Sequence, residues 1–443
     1  MYHKFNKTIL ATTLACLPVL AHSASFQLLE QSPAHMGKAF AGTGSDITDA
    51  STVYFNPAGM TQIDRTSFTA AINFVATDAT FNDEGSSFSG GGDNTDELGV
   101  IPNLYAVVPL SDRFSVGFGI NAPYGLSSSF SDEWVGRYSA TYSELQLVNI
   151  NATTAWQIAD FIAVGVGINY QTIEADLQSQ VDSTLGLAPS PATDSSAQIK
   201  GDDDGFVIDL SVLITPSDKT SIGVSWREGG EYTLEGEATF DFNAACSPGV
   251  GAPLPPQAGG STGTACFAGL SALGGDIESD VTLPDTLTVS ATQYITDGWA
   301  FHADIAKTSW SSIQNIQVIN VGNGAEVDVL DLQYDDTMRY ALGTSMDTGA
   351  WTWRAGVALD EAPQTNPEHV SPRIPDADRT WLSLGANWEV SANLSLDFGY
   401  THLLIDDASL IEEETNDLGI THKLSGSFDS SVDIFAAQLN WQF

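Results

Sequence analysis

Apolar and polar side chains alternate along most of the chain, from about Thr66 to the last residue. The alternating segments are roughly ten residues long, and clusters of Gly, Asp, Asn, Ser and Pro separate them. One of them is RFSVGFGIN, in which Phe114 and Val116 oppose Ser115 and Gly117. A period of two predicts β-strands, of which about 14 can be counted. Strand eight is expected to begin near Thr282, strand ten near Leu330 and the last strand near Ser431, with long loops at 127–142, 179–204, 241–276 and 360–378.

A soluble β-sandwich also alternates, so other features must decide the fold class. The apolar faces here often end in Trp or Tyr, as an interfacial aromatic girdle does, and the opposite faces carry Gly, Ser, Asn and Thr. The final alternating segment runs to the terminal Phe443. These features predict an all-β, transmembrane antiparallel β-barrel of about 14 strands with both ends in the periplasm. A barrel of that width needs something to fill its lumen.

The first residues have the order of an export signal. Lys4 and Lys7 precede an apolar run at 8–20, and Ala21-His22-Ser23 supplies a small-residue cleavage site. The apolar run is too short to span a bilayer, which weighs against the alternative of a membrane-anchoring helix.

The stretch at 24–60 shows neither strand nor sustained helix periodicity and is rich in small residues. We interpret it as a plug, or hatch, inside the barrel. The predicted organisation is therefore a signal peptide at 1–23, an N-terminal hatch at 24–65 and the barrel at 66–443.

The net charge limits which partners the protein can bind, and the cysteine content predicts a disulfide. The formal net charge of −41 disfavours binding to nucleic acid or anionic lipid. Asp202-Asp203-Asp204 is either an acidic solvated loop or a ligand set for a divalent cation. Cys246 and Cys266 bracket a Gly- and Pro-rich loop, which predicts a disulfide in an oxidising compartment. No cofactor and no metal site are predicted.

Several motifs occur in the order of a known family: Ala24-Ser25-Phe26-Gln27-Leu28, the Gly-rich run at 37–44, Asp49-Ala50, Asn56-Pro57-Ala58-Gly59, PLSDRFSVGFGINAPYGL, Trp134 with Gly136-Arg137-Tyr138, Leu283-Pro284 and Thr308-Ser309-Trp310-Ser311. The chain resembles the outer-membrane long-chain fatty-acid transporter family, which also includes aromatic-hydrocarbon uptake channels. The resemblance implies a 14-stranded barrel closed by an N-terminal hatch. It also implies passive transport, with capture between extracellular loops, a pocket above the hatch and lateral exit where the third strand is kinked.

The kink can also be argued from residue chemistry. Pro123 follows Gly117, Gly119 and Asn121 in the third strand, and a proline cannot donate to the strand ladder. Local loss of pairing there would make a lateral opening. The alternative is a strand that ends at Asn121 and an extracellular turn at Pro123. Asn56, Pro57 and Ala58 are expected to hold the hatch in place, or else to form an ordinary turn before the first strand.

The candidate substrate-binding residues are Phe26, Leu28, Trp134, Tyr138, Trp310, Arg227, Arg339 and Arg354. Strand parity places the three arginines on the lumen side, where each could bind a fatty-acid carboxylate. Each could instead pair with a lumen acid, for which Asp209, Asp304, Asp360 and Asp397 are the candidates. Trp134 and Tyr138 could capture an alkyl chain on the loops, or could pack against the neighbouring loop at 185–189.

Three classes of function are open to a barrel of this kind. A hydrophobic-substrate channel is favoured, with long-chain fatty acids as the expected substrate. No Lys follows Trp310 in SIQNIQV, which leaves aromatic hydrocarbons open. A general diffusion porin would not need the plug. An enzyme would need a nucleophile beside a base, and the His residues form no such motif with Ser or Asp. The expected partners are the substrate, outer-membrane lipid and the barrel assembly machinery, and the protein is expected to be a monomer.

Overall fold

The computed structural model describes residues 25–254, 260–416 and 418–443, so the predicted signal peptide and Ala24 lie outside the described residues. The short helices are α1 (Pro33–Met36), α2 (Thr52–Phe55) and α3 (Thr262–Leu273), with 3-10 turns at Pro57–Gln62, Ala244–Cys246 and Trp310–Ser312. None of the helices in the described ranges is long and apolar enough to cross a membrane. The strands are β1 (Ser67–Asp83), β2 (Asn94–Ser111), β3 (Phe114–Ser129), β4 (Tyr142–Ala159), β5 (Ile162–Val181), β6 (Ser195–Ser217), β7 (Thr220–Arg227), β8 (Gly230–Asp241), β9 (Gly275–Leu283), β10 (Thr286–Thr296), β11 (Trp299–Thr308), β12 (Asn315–Asn320), β13 (Glu326–Asp331), β14 (Thr337–Asp347), β15 (Trp351–Asp360), β16 (Arg379–Ser391), β17 (Leu394–Ile405), β18 (Ala408–Thr415) and β19 (Thr421–Gln442).

The strands form one closed antiparallel barrel. β1 pairs with β2 on one side and with β19 on the other, so Ser67 lies opposite both Val107 and Gln442. Direct pairing of β7 with β10, β11 with β14, and β17 with β19 leaves five of the nineteen strands outside the ring: β8, β9, β12, β13 and β18. The wall therefore has fourteen strands, which confirms the predicted fold class.

Alternation along the wall strands separates lumen from lipid as predicted. In β1, Thr69, Ala71 and Asn73 are buried, whereas Phe74 is 39% exposed on the outer face. In β5, the outward-facing Val166 and Ile168 flank Gly167 on the inner side. Small inner residues and apolar outer residues are what a filled barrel in lipid requires.

The strands extend well beyond the membrane at the end opposite to the C-terminus. A transmembrane strand needs about 9–11 residues, but β6 has 23. Its first half pairs with β8, β8 pairs with β9, and β9 pairs with β12. The predicted loops at 179–204 and 241–276 are therefore partly wrong, because both contain strand residues of this outer sheet.

Three predicted strand starts also need correction. Leu330 lies in β13 outside the wall, and the tenth wall strand is β14, which begins at Thr337. Thr282 lies in β9, and the corresponding wall strand is β10, from Thr286. The last strand begins ten residues before the expected Ser431, at Thr421.

The N-terminal segment, residues 25–63, lies inside the barrel and is almost entirely buried. Met36 and Phe40 pack against Trp381 and other inner residues of the wall. Two wall glycines let its backbone approach closely: a Cβ at Gly356 would lie 2.2 Å from the carbonyl carbon of Lys38, and one at Gly223 would lie 2.0 Å from the carbonyl oxygen of Gly44. The lumen is thus filled by the chain's own N-terminal segment.

Outside the barrel, Cys246 and Cys266 are joined in a disulfide bond within the segment between β8 and β9. The bond links α3 to the 3-10 turn that contains Cys246.

Candidate functional site

The wall changes its pairing at Pro123. β2 pairs with β3 only as far as Leu104 opposite Ile120, although β2 continues to pair with β1 as far as Asn94. The register between β3 and β4 also shifts between Asn121 and Tyr124. β3 nevertheless continues to Ser129, so the alternative of a strand ending at Asn121 is wrong. The result is a wall strand with one unpaired edge just above the kink.

The N-terminal segment takes the place of β2 along this edge. The Leu28 N–H donates to the Pro123 carbonyl at 2.8 Å, and the Gly125 N–H donates to the Phe26 carbonyl at 2.9 Å. Gln27 and Tyr124 lie opposite each other as an antiparallel pair. The Gln31 side-chain amide adds a bond of 2.7 Å to the Ala122 carbonyl. Residues 26–31 therefore occupy the gap between β2 and β3.

An apolar cavity of about 90 Å³ lies above this contact, towards the outer sheet. Phe26 lines the cavity and packs edge-on against Trp310, with ring centroids 5.0 Å apart. Leu28 lies outside the cavity, in the buried cluster around Met36 and Trp381. The remaining lining of the cavity is almost wholly aliphatic and includes Leu126, Leu145, Leu177, Leu234, Ile277, Val281, Ile316, Val318 and Leu330.

Arg373 and Glu144 are the charged residues among those that line the apolar cavity. Nη1 of Arg373 donates to Ser143 Oγ at 3.2 Å and to the carbonyls of Tyr142 and Gln178, and Nη2 lies 3.6 Å from Asp328. Glu144 accepts hydrogen bonds from Tyr142 and Gln146. Because protein groups already satisfy both side chains, the cavity presents an apolar surface.

A second cavity, which we call the arginine cavity, has a volume of about 80 Å³ and lies between the N-terminal segment and strands β7, β10, β11 and β14. Arg227 and Arg339 line it, as do Asp304 and Asp360. Nη2 of Arg339 donates to the Ala39 carbonyl at 2.6 Å, and Nη2 of Arg227 donates to the Tyr54 carbonyl. Sequence parity thus placed both arginines correctly on the lumen side.

Arg354 has a different role from the other two arginines. It forms a buried ion pair with Asp397 on β17, which in turn accepts hydrogen bonds from Asn387 and Asn440. Arg354 therefore pairs with a lumen acid, which was the second possibility for each of these arginines.

The motif Asn56-Pro57-Ala58 contacts both the segment and the wall. Nδ2 of Asn56 donates to the Gly44 carbonyl at 2.6 Å and to the Val212 carbonyl of β6 at 3.3 Å. The Ala58 N–H donates to Asn56 Oδ1 at 3.1 Å and to Ser211 Oγ at 3.0 Å. These bonds fix the lower part of the segment to β6.

Glu30 is a fully buried acid at the centre of the N-terminal segment. Its carbonyl accepts bonds from Asn73 and Asn103 at 2.7 and 2.8 Å, but neither carboxylate oxygen has a protein partner. Burial raises the pKa of Glu30 to about 7. The segment therefore contains a carboxyl group that can change its protonation state near neutral pH.

The loop candidates Trp134 and Tyr138 lie apart from both cavities, in a cap over the barrel. Trp134 is buried and stacks on Phe130 with ring centroids 4.3 Å apart. Tyr138 donates to Asp194 at 2.8 Å, and Arg137 forms a buried ion pair with the same carboxylate at 2.7 Å. These contacts join the loop after β3 to the loop after β5, so the two loops pack against each other.

Two side-chain arrangements in the described parts of the chain bear on metal binding and on His–Ser chemistry. No group of three or more His, Cys, Asp or Glu side chains there is placed to hold a metal ion, and Asp203 accepts a bond from the Thr233 N–H. His302 lies 2.9 Å from Ser345, but its other ring nitrogen faces Thr292 at 3.1 Å, and neither His302 nor Ser345 lines either cavity.

Sequence reasoning missed most of the apolar cavity. Leu234 and Ile277 lie on either side of the predicted loop at 241–276 and were assigned to no strand, and Leu330 was assigned to the wall. Their alternation continues past the length that a membrane requires, and this excess length was the signal that could have found them. Gln31 and Arg373 carry no local signal, because their partners are distant in sequence.

Comparison with known proteins agrees with this architecture. A family model described as outer membrane protein transport protein (OMPP1/FadL/TodX) matches residues 14–443. Outer membrane protein P1 of Haemophilus influenzae is 28% identical, covering 99% of this chain and 100% of that protein. The long-chain fatty acid transport protein of Escherichia coli K12 is also 28% identical, covering 90% and 92%. Among solved structures, a Pseudomonas aeruginosa FadL homologue aligns with a TM-score of 0.84 at 21% identity, covering 95% of this chain and 100% of that one. The Pseudomonas putida toluene transporter TodX aligns with a TM-score of 0.68 at 19% identity, covering 96% and 99%.

Proposed function

Because the chain belongs to the outer membrane protein transport protein family (OMPP1/FadL/TodX), we propose that it takes up long-chain fatty acids by passive diffusion. It is an outer-membrane transporter of hydrophobic molecules. The long-chain fatty acid transport protein, 28% identical over nearly its full length, supports fatty acids as the substrate. Uptake of this kind needs no reaction.

One observation carries the proposal: the apolar cavity ends at Phe26, and residues 26–28 pair with the kinked strand β3. A hydrophobic molecule in the cavity therefore lies beside the N-terminal segment and the gap that it fills. Withdrawal of residues 26–31 would open a path between β2 and β3 into the lipid. We propose that residues 25–63 act as the hatch in this way.

Aromatic hydrocarbons are the second candidate substrate. The observation that favours them is the apolar cavity itself, in which the one arginine is already bonded to protein groups and to Asp328. A neutral ligand needs no charged partner there. The fold likeness to TodX is compatible with either substrate.

A reversible lock tests the lateral route. Gln27 and Tyr124 face each other across an antiparallel bridge, a geometry that a disulfide can span. The double variant Gln27→Cys/Tyr124→Cys should lose oleate uptake when oxidised and regain it on reduction. The controls are the two single variants and the unaltered protein under the same reductant, because the native Cys246–Cys266 bond also responds to it. Equal uptake by the oxidised and reduced double variant would exclude the route.

A substrate comparison tests the class of ligand. Cells that make the protein should take up oleate or toluene faster than cells without it, and should not gain uptake of a small sugar. The variant Pro123→Ala can restore the ladder donor that proline lacks and should slow hydrophobic uptake. Sugar uptake alone would indicate a general diffusion porin.

The remaining partners are also proposals. The last strand alternates up to the terminal Phe443, which is 59% exposed and packs against Trp441 with ring centroids 4.4 Å apart. We expect the barrel assembly machinery to recognise this end. We also expect a monomer, because the wall closes on itself and the N-terminal segment covers the β3 edge that β2 leaves unpaired.

A further inference from the structure

The arginine cavity lies next to the apolar cavity along the N-terminal segment. Phe26 lines the apolar cavity, and the next residue, Gln27, lines the arginine cavity. Two consecutive residues of the segment that fills the gap at β3 therefore face different cavities, and the segment lies between them. The arginine cavity is the deeper of the two, because Thr43 and Tyr54 of the segment form part of its lining.

Both arginines of this cavity have a hydrogen-bond donor left over. Arg339 is only 8% exposed, and its Nε has no protein acceptor. The Nη1 atom of Arg227 is also buried without an acceptor. The Arg227 guanidinium lies 4.0 Å from the centroid of the Tyr54 ring and that of Arg339 lies 5.2 Å from the centroid of the Trp381 ring, but an aromatic ring supplies no oxygen acceptor. A buried N–H donor without an acceptor is unfavourable, so a ligand that supplies acceptor oxygens would be stabilised here.

The chemistry of the lining indicates what that ligand carries. A carboxylate accepts from guanidinium groups in a planar, often two-pronged geometry. On the segment side, Leu29, Phe40 and Phe55 offer apolar surface for a hydrocarbon part.

The two acids of the lining offset the formal charge of the two arginines. Asp304 accepts from the Gly42 N–H at 2.6 Å and from Thr43, and Asp360 accepts from Trp381 at 3.3 Å. Both carboxylates are thus bonded to protein donors, while the guanidinium donors named above are not.

We propose that the arginine cavity is a second ligand site, which binds the carboxylate end of a fatty acid through Arg227 and Arg339. This inference rests on the proposed function for its substrate: fatty acids and neutral hydrocarbons both occupy the apolar cavity, and the arginine cavity adds a site that only the carboxylate can use. A neutral amphiphile of equal length would occupy the apolar cavity but would gain nothing from the arginines.

The test compares laurate with dodecanol, which differ in the carboxylate. Binding of each radiolabelled compound to the purified protein in detergent is measured by equilibrium dialysis. Arg227→Gln and Arg339→Gln should each weaken laurate binding about tenfold or more and leave dodecanol binding unchanged. The matched control is Arg65→Gln, at an exposed arginine that bonds to Gln442, which should alter neither.

A second variant covers the case in which an arginine variant does not fold. Ala306 lines the cavity, and Ala306→Phe fills it without removing a charge. It should weaken laurate binding and spare dodecanol. Equal laurate binding by the unaltered protein and all three cavity variants would overturn the proposal, as would equal losses of laurate and dodecanol.

The outcomes separate this inference from the proposed function. If laurate binding to the purified protein depends on the two arginines but cells that make the protein take up neither oleate nor toluene, the arginine cavity remains a binding site and the proposed transport is refuted. If cells take up oleate but the arginine variants bind laurate as well as the unaltered protein does, only the proposal that the arginine cavity binds the carboxylate is refuted.

Discussion

Replacing Gly223 with alanine should unseat the N-terminal segment. The new Cβ would lie 2.0 Å from the Gly44 carbonyl oxygen and 2.8 Å from Asn56 Nδ2, so backbone must move. Overpacking of this kind costs about 1–3 kcal/mol. Moving Gly44 also strains its bonds to Asn56 at 2.6 Å and to Ser290 at 2.9 Å, each worth about 1 kcal/mol. The total of about 3–5 kcal/mol would raise the unseated fraction roughly 100-fold or more.

Ion conductance through single proteins in planar lipid bilayers reports this change. The unaltered protein should be nearly silent, because residues 25–63 fill the lumen, and Gly223→Ala should show frequent openings. Gly205→Ala is the matched control, since its new Cβ would meet only the edge of the Tyr232 ring, at 3.2 Å. Conductance of Gly223→Ala no greater than that of Gly205→Ala would refute the reasoning that backbone contact with the wall holds the segment.

Two further predictions concern charge inside the barrel. Burial raises the pKa of Glu30 from 4.5 to about 7, so its contribution to seating is present in full below about pH 4.5 and is lost as the pH rises to about 7. The bilayer conductance should therefore grow between about pH 4.5 and 7, level off at higher pH, and become pH-independent in Glu30→Gln. The same slope in both proteins would assign the effect to other groups. Arg354→Met should lower the free energy of unfolding by about 3–5 kcal/mol, because it leaves Asp397 buried without its cation. The control Arg113→Met breaks an ion pair with Asp160 whose side chains are 58% and 91% exposed, and it should cost no more than about 1 kcal/mol. Equal midpoints of heat unfolding for the two variants would contradict this.

The wall could be predicted from sequence because lipid and lumen impose opposite demands on neighbouring residues. The inner positions Gly165, Gly167 and Asn169 are small or polar, while Val166 and Ile168 face lipid. Leu330 shows where this reasoning fails. β13 alternates like a wall strand, but its apolar face covers the apolar cavity instead of meeting lipid. Alternation identifies a half-buried strand and does not identify what buries it.

The site was less predictable than the wall, and the reason lies in sequence separation. Pro123 could be identified because its missing N–H is a property of the residue itself. The lumen-facing positions of Arg227 and Arg339 could be predicted from the alternation of apolar and polar residues in their own strands. Gln31 could not be identified, because its acceptor, the Ala122 carbonyl, is 91 residues away and is brought near by closure of the barrel. Arg373 reaches the apolar cavity through the loop between β15 and β16 in the same way.

Pro123 and the N-terminal segment together explain how an opening can exist in a membrane wall. Backbone that loses its ladder partners is unfavourable in lipid unless it is paired or lines a protected cavity. Here the Pro123 carbonyl and the Gly125 N–H, which β2 leaves unpaired, bond to Leu28 and Phe26. The bonds that keep the wall tight are therefore made by the segment that ends the apolar cavity. On the lateral route that we propose, a substrate that displaces Phe26 would release the β3 edge in the same movement, and these two hydrogen bonds would couple occupancy of the cavity to opening of the wall.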